Sequence, residues 1–207
     1  MSARRRPAPR PRRGPAPARP TGPQRGALRV VAGELGGRRL DAPAGESTRP
    51  TSDRVRQALF NALDSIGAVD DARVLDAFAG SGALGIEALS RGAAHATFAE
   101  VDGQARQVVE ANVASLGLEA RSRVLASPAE RVAAGGGPFD LVLLDPPYAY
   151  DRWEELLEGL VPALAPAATV VIESDREVPL PAGLVATRSR SYGGTVVTFA
   201  TPAGAPQ

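Results

Sequence analysis

From Arg73 onward, short apolar runs alternate with segments whose apolar residues recur at helical spacing. Arg73–Phe78, His95–Glu100, Ala120–Leu125, Phe139–Leu144 and Ala168–Glu173 read as strands. Gly82–Arg91, Gly103–Gly117, Pro128–Ala134 and the stretch from Trp153 to Leu164 read as helices. Trp153, Leu156, Leu157, Leu160, Val161 and Leu164 step at 3, 1, 3, 1 and 3, which is one apolar helix face. Val185–Arg190 and Thr195–Ala200 flank Gly193-Gly194 and read as a closing antiparallel hairpin. Such alternation predicts an α/β protein: a doubly wound, largely parallel sheet with helices on both faces. Ligands then belong at the carboxyl ends of the strands.

The chain ahead of Arg73 is different in kind. Residues 1–27 hold eight arginines, seven prolines and no acid, and cannot bury enough surface to offset ordering. This leader is expected to be disordered. It is either a solvated tail or an arm that seeks phosphates without sequence choice. It lacks the apolar centre of a secretory signal, and no run reaches the ~18 residues of a membrane helix, so a cytoplasmic protein is expected. Leu28–Gly33 and Arg38–Asp41 read as two short strands joined around Gly36-Gly37. Ser52 can cap a following helix, with Val55, Leu59, Ala62 and Ile66 as its apolar face and Arg54 and Arg56 off that stripe. The chain thus divides into a tail over 1–27, an N-terminal extension over 28–70, a main domain over 71–202 and a short tail over 203–207. Beyond the leader, 16 arginines face 23 acids, so the body is acidic.

Val74-Leu75-Asp76-Ala77-Phe78-Ala79-Gly80-Ser81-Gly82 is a strand running into a small-residue turn and a helix start. Gly80 and Gly82 let backbone approach a ligand closely. A lysine-bearing phosphate loop is excluded, because the chain contains no lysine. Glu100 closes the next strand, where an acid commonly accepts ribose hydroxyls, and Asp102 competes for that role. Asp76 can alternatively cap the turn. Loop and acid together indicate an adenosine-containing cofactor. With no cysteine and His95 as its one histidine, the chain is not expected to hold a metal.

Asp145-Pro146-Pro147-Tyr148 follows the apolar strand Phe139–Leu144. A carboxylate and a prolyl carbonyl can accept the two hydrogens of an exocyclic amino group, and an aromatic ring can stack on the base that carries it. The two prolines fix their own φ and restrict their neighbours, which holds the three groups in place. This amino-group grip turns the cofactor expectation toward S-adenosylmethionine.

The pattern Asp76-x-Phe78-x-Gly80-Ser81-Gly82 with Asp145-Pro146-Pro147-Tyr148 resembles the class I S-adenosylmethionine-dependent amino methyltransferases. Arg49-Pro50-Thr51-Ser52-Asp53-Arg54-Val55-Arg56-Gln57-Ala58-Leu59-Phe60-Asn61 and the run from Phe78 to Ala93 are similar to the bacterial RsmD family of 16S ribosomal RNA guanine-N2 methyltransferases. The resemblance covers about residues 28–200. It implies a Rossmann-like sheet of seven strands, a monomer, and 16S rRNA of the small subunit or its assembly intermediate as substrate. It implies Asp145, Pro146 and Tyr148 as catalytic residues. Asp76, Phe78, Gly80, Gly82, Glu100, Ser127, Ala129 and Thr51 follow as cofactor contacts, and Arg38, Arg39, Arg49, Arg54 and Arg56 as RNA contacts. Pro128 stands between Ser127 and Ala129 and offers neither an N–H nor a side-chain acceptor, so adenine recognition falls to its neighbours. Plain capping is an equal expectation for Thr51 and Asp53. Two other functions fit parts of the pattern: a DNA amino methyltransferase, and a non-catalytic ribosome-assembly factor on the same scaffold. The short pieces between strands leave no room for a DNA target-recognition insertion.

Overall fold

The computed structural model describes residues 28–43 and 50–205, and within this range the side chains of 50–52 are not described. The expected tail over 1–27 and Arg49 lie outside the described residues. The elements run α1 Pro50–Ser65, β1 Arg73–Asp76, α2 Ala83–Ser90, β2 His95–Ala99, α3 Gly103–Leu116, β3 Ser122–Leu125, α4 Ala129–Gly135, β4 Phe139–Leu144, α5 Trp153–Leu160, β5 Leu164–Ser174, β6 Leu184–Tyr192 and β7 Thr195–Pro202. The sheet has seven strands in the order β3-β2-β1-β4-β5-β7-β6. Strands β1 to β5 pair in parallel, and β7 pairs antiparallel with both β5 and β6. The predicted α/β architecture and closing hairpin are therefore present.

Each face of the sheet buries a separate apolar cluster. On one face, Val55, Leu59, Phe60 and Leu63 of α1 join Ile86, Leu89, Phe98, Val109, Val171, Val197 and Phe199. On the other, the α5 stripe Trp153, Leu156, Leu157 and Leu160 packs with Leu75, Val142, Leu144, Val170 and Ala200. Strands β1 and β4 are buried along almost their whole length, as strands covered on both faces must be.

Several boundaries move for local reasons. Helix α5 stops at Leu160 and tightens into a 3₁₀ turn at Val161–Ala163, because Pro162 has no N–H to continue the ladder. Helix α1 begins at Pro50, so Ser52 lies inside it instead of capping it. The helix ends at Ser65, which leaves Ile66 beyond it and 61% exposed; Phe60 and Leu63 complete the buried stripe instead. Strand β1 stops at Asp76, where the chain turns toward the glycine segment, and a 3₁₀ turn at Glu119–Arg121 delays β3 to Ser122. The expected N-terminal hairpin contracts to one antiparallel bridge, Arg29 with Arg39, supported by Val30 N–H to the Arg38 carbonyl at 3.0 Å and Leu40 N–H to the Leu28 carbonyl at 2.9 Å.

One buried acid fastens this extension to the sheet. Glu87 is fully buried in α2 and accepts from Val31 N–H at 2.6 Å and Ala32 N–H at 3.0 Å. Arg91 closes on it at 2.7 Å and Arg56 at 3.8 Å. Arg56 is 5% exposed, donates to the Arg29 carbonyl and pairs with Asp53 at 2.9 Å. The expectation that Arg56 falls off the apolar stripe and meets RNA is thus corrected: its guanidinium is consumed inside the protein. Gly33 completes the seam, since a Cβ there would stand 1.9 Å from the Ser90 carbonyl oxygen. Replacing Glu87 by Ala leaves two backbone N–H groups and two guanidinium groups short of their acceptor. We expect Glu87→Ala to lower unfolding stability by about 3–5 kcal/mol in urea titrations; a loss below about 1 kcal/mol would contradict the role of this acid.

Candidate functional site

Strands β1 and β4 are neighbours, yet their crossovers leave in opposite directions along the sheet. That makes their carboxyl ends the topological switch point, where doubly wound sheets bind ligands. The register pairs Asp76 with Leu143, and the Ala77 N–H reaches the Leu143 carbonyl at 3.0 Å. Asp145 follows two residues after Leu143. The glycine turn and the Asp-Pro-Pro-Tyr segment therefore leave the sheet side by side. On the far side of β1, Ala79 N–H bonds the Ala99 carbonyl at 3.1 Å, which brings Glu100 of the β2 end to the same turn.

The turn is built by backbone geometry and two carboxylates. Gly80 and Gly82 have φ of 53° and 78°, in the left-handed region that glycine adopts at little cost. Gly82 is also the residue that opens α2. Asp76 is 1% exposed and accepts the Gly85 N–H at 2.9 Å. That bond holds the turn in place, which is the alternative role read for Asp76 from the sequence. Glu100 is half-buried and accepts Gly80 N–H at 2.9 Å and Asp102 N–H at 2.8 Å. Asp102 itself caps α3 through Gln104 N–H at 2.9 Å and Ala105 N–H at 2.8 Å.

Asp145 is exposed at the mouth, whereas Pro146 beside it is buried. Tyr148 is 47% exposed. A shallow depression, open to solvent, lies against Pro146, Pro147, Tyr148, Tyr150, Trp153 and Arg176. Two of these residues belong to an aromatic chain: Phe78 meets Tyr150 edge-on at 5.1 Å, and Tyr150 meets Trp153 at 5.2 Å. The Tyr150 hydroxyl donates to Glu130 at 2.7 Å, and burial pushes that hydroxyl above the usual phenol range, with the bond to Glu130 adding to the rise. Arg176, from the end of β5, donates to the Tyr150 carbonyl at 3.0 Å. Tyr150 and Arg176 were absent from the sequence expectations. Tyr150 sits two residues beyond Tyr148, and only the end-to-end ring packing distinguishes it; no sequence signal marks Arg176.

The other expected residues divide. Ser127 is half-buried, and Ala129 is buried in the first turn of α4 behind Pro128. The side chain of Thr51 lies outside the described set. Arg39 and Arg54 are exposed. Arg38 donates to the Ser115 carbonyl at 3.2 Å, in the last turn of α3. His95 opens β2 at the end of that strand away from the mouth, and burial together with Arg73 and Arg123 holds its imidazole below the usual value. Among the described residues there is no His, Cys, Asp and Glu group able to hold a metal, and no helix is long and apolar enough to cross a membrane.

Burial pushes the Asp76 carboxyl up to about 7; the Gly85 N–H offsets part of this, and the nearby Asp145 and Glu100 carboxylates add to it. The folded protein therefore binds this proton more tightly than the unfolded chain, whose value is 3.8. Its contribution to stability is full below pH ~4 and is lost as pH rises toward ~7. We expect Asp76→Asn to lack this loss, so that its urea midpoint gains on the parent's between pH 4 and 7. Parallel midpoint curves for the two proteins would contradict the burial argument.

Comparisons with known proteins identify the family. The family described as "Conserved hypothetical protein 95" matches residues 28–201. Ribosomal RNA small subunit methyltransferase D of Escherichia coli strain K12 is 42% identical over 159 residues, covering 75% of this chain and 79% of that protein. The protein of the same name from Haemophilus influenzae is 33% identical over 162 residues, covering 75% and 83%. Among solved structures, "Putative methyltransferase yhhF" from Escherichia coli superposes with a TM-score of 0.75 at 38% identity, covering 86% of this chain and 98% of that one.

Proposed function

This chain belongs to the RsmD family, and on that premise we propose that it transfers the methyl group of S-adenosylmethionine to the exocyclic N2 amino group of a guanine in small-subunit ribosomal RNA. The observation that carries this reading is the placement of an exposed Asp145, followed by a buried Pro146, beside the glycine turn at the β1–β4 switch point.

The residues present fit the donor. Asp76, Glu100 and Asp145 stand around one turn, and the two neighbouring carboxylates add to the rise that burial imposes on the Asp76 carboxyl. A cationic ligand offsets that addition, and S-adenosylmethionine carries both a sulfonium and an ammonium. The backbone of Gly80 and Gly82 gives it close approach, Glu100 receives its ribose hydroxyls, and Ser127 with the Ala129 amide borders its adenine beside Phe78. Asp76 acts at one remove, as a positioning residue for the turn. When bound, the cofactor supplies an electrophilic methyl group.

Guanine N2 is a poor nucleophile because its lone pair is delocalised into the ring. The Asp145 carboxylate and the Pro146 carbonyl accept its two hydrogens and draw the nitrogen toward a tetrahedral shape. The lone pair is then localised and aimed. The gain comes from orientation and from electrostatics prepared in advance. Tyr148 stacks on a base turned out of its helix. The amine is strongly acidic once alkylated, so its proton leaves without a dedicated base. Arg39 and Arg54 supply exposed positive charge for RNA phosphates.

Tritiated S-adenosylmethionine offered with naked 16S rRNA, small ribosomal subunits and duplex DNA tests the reading. The parent labels RNA and leaves the duplex unlabelled. Asp145→Ala is expected to lower kcat about 10²–10³-fold, the scale for removing one prepared transition-state contact. Transfer at the parent rate by that variant would sink the grip mechanism. Label in duplex DNA alone would replace the substrate, and binding without methylation by the parent would make the protein an assembly factor.

A further inference from the structure

We infer that the outer strand β6 is a second RNA-binding surface, with Arg188 and Arg190 contacting the phosphate backbone that flanks the target base. The inference rests on the RNA reading above and extends it to residues outside both motifs.

The charge distribution points there first. The folded body is acidic, yet no Asp or Glu occurs from Val178 to Gln207, and the cations in that stretch are Arg188 and Arg190. Both are exposed. The ion pairs of the described residues engage Arg56, Arg91, Arg106, Arg121, Arg152 and Arg176 and neither of these two. In an acidic body, a locally uncompensated positive strand attracts a polyanion.

The geometry directs that charge at the mouth. Strand β6 forms the edge of the sheet beyond β7, and its register sets Arg190 opposite Val197, which lies opposite Glu173 near the carboxyl end of β5. Arg190 is therefore level with the rim from which Asp145 emerges. It is three strands away from β4, or about 14 Å at the ~4.8 Å spacing of neighbouring strands. Val197 and Phe199 point into the cluster that contains α1. Directly paired residues share a face, so Arg188 and Arg190 stand on the α1 side, where Arg54 is also exposed.

A bulge makes the placement specific. The register slips between Ala186 and Arg188, which inserts Thr187 and turns the following side chains. The Thr187 hydroxyl donates to the Phe199 carbonyl at 3.3 Å and fixes the slip. Arg188 then lies over the Phe199 ring at 5.8 Å. The ring lies beneath the guanidinium of this exposed arginine, an ordering that lowers the entropic cost of a phosphate contact.

The test is the Arg188→Gln/Arg190→Gln double variant of the full chain, titrated with naked 16S rRNA over a range of salt. Losing two phosphate contacts should weaken binding about tenfold near 0.1 M salt and flatten the slope of log K against log salt by about 1–2. In methyl-transfer assays the loss should fall on KM and not on kcat. The urea midpoint and S-adenosylmethionine affinity should match the parent's, and Arg188→Lys/Arg190→Lys should restore the slope. Parental affinity and slope in the folded Gln variant overturn the inference. So does a binding loss accompanied by a lowered urea midpoint that the Lys pair does not rescue. If the parent binds rRNA with a steep salt dependence but forms no methylated guanosine, the guanine reading fails and the β6 surface stands. If the parent does not bind rRNA, both fail.

Discussion

The site depends on the parallel pairing of β1 with β4. Through it, residues 69 positions apart in sequence, Asp76 and Asp145, come close enough for their charges to interact. The pairing sets the glycine turn on one strand end and the Asp-Pro-Pro-Tyr segment on the next. Glu100 arrives from the other neighbour, β2, and ties Gly80. A sheet that exchanged either neighbour would keep every motif and lose the site. The cost is the burial of the Asp76 carboxyl, to which the neighbouring Asp145 and Glu100 carboxylates add and which the hydrogen bond from Gly85 partly offsets.

The order of strands and helices was legible because buried parallel strands are near-continuous apolar runs, and Phe139–Leu144 was read to the residue. The glycine turn, Glu100 and the Asp-Pro-Pro-Tyr segment were legible because each carries a backbone or hydrogen-bond constraint that shows in residue type. Burial of charge was not legible. Arg54 and Arg56 look alike in sequence, yet Arg54 is exposed and Arg56 is sealed against Glu87 and the Arg29 carbonyl. The difference comes from the extension over residues 28–43, whose path is set by tertiary contacts. The one available hint was Glu87, a lone acid within the apolar run Leu84–Leu89 of α2. Thr187 and Arg176 gave no hint, because a bulge and a long side chain lying across a loop follow from packing.

Arginine consequently has two jobs in this lysine-free chain. Arg56 and Arg91 are internal ties that hold the extension to α2, where planar, multidentate donors satisfy a buried carboxylate. Arg39, Arg54, Arg188 and Arg190 stay at the surface of an otherwise acidic body.

The central claim is that Asp145 and the Pro146 carbonyl receive an exocyclic amino group. Its most direct measurement is the position of the transferred methyl. The methylated small-subunit rRNA is digested to nucleosides, and the labelled product is identified by mass spectrometry against synthetic standards. The account predicts N2-methylguanosine. A methyl group on a ring carbon, a ring nitrogen or a ribose hydroxyl would contradict it, since none of these presents two hydrogens to a pair of acceptors.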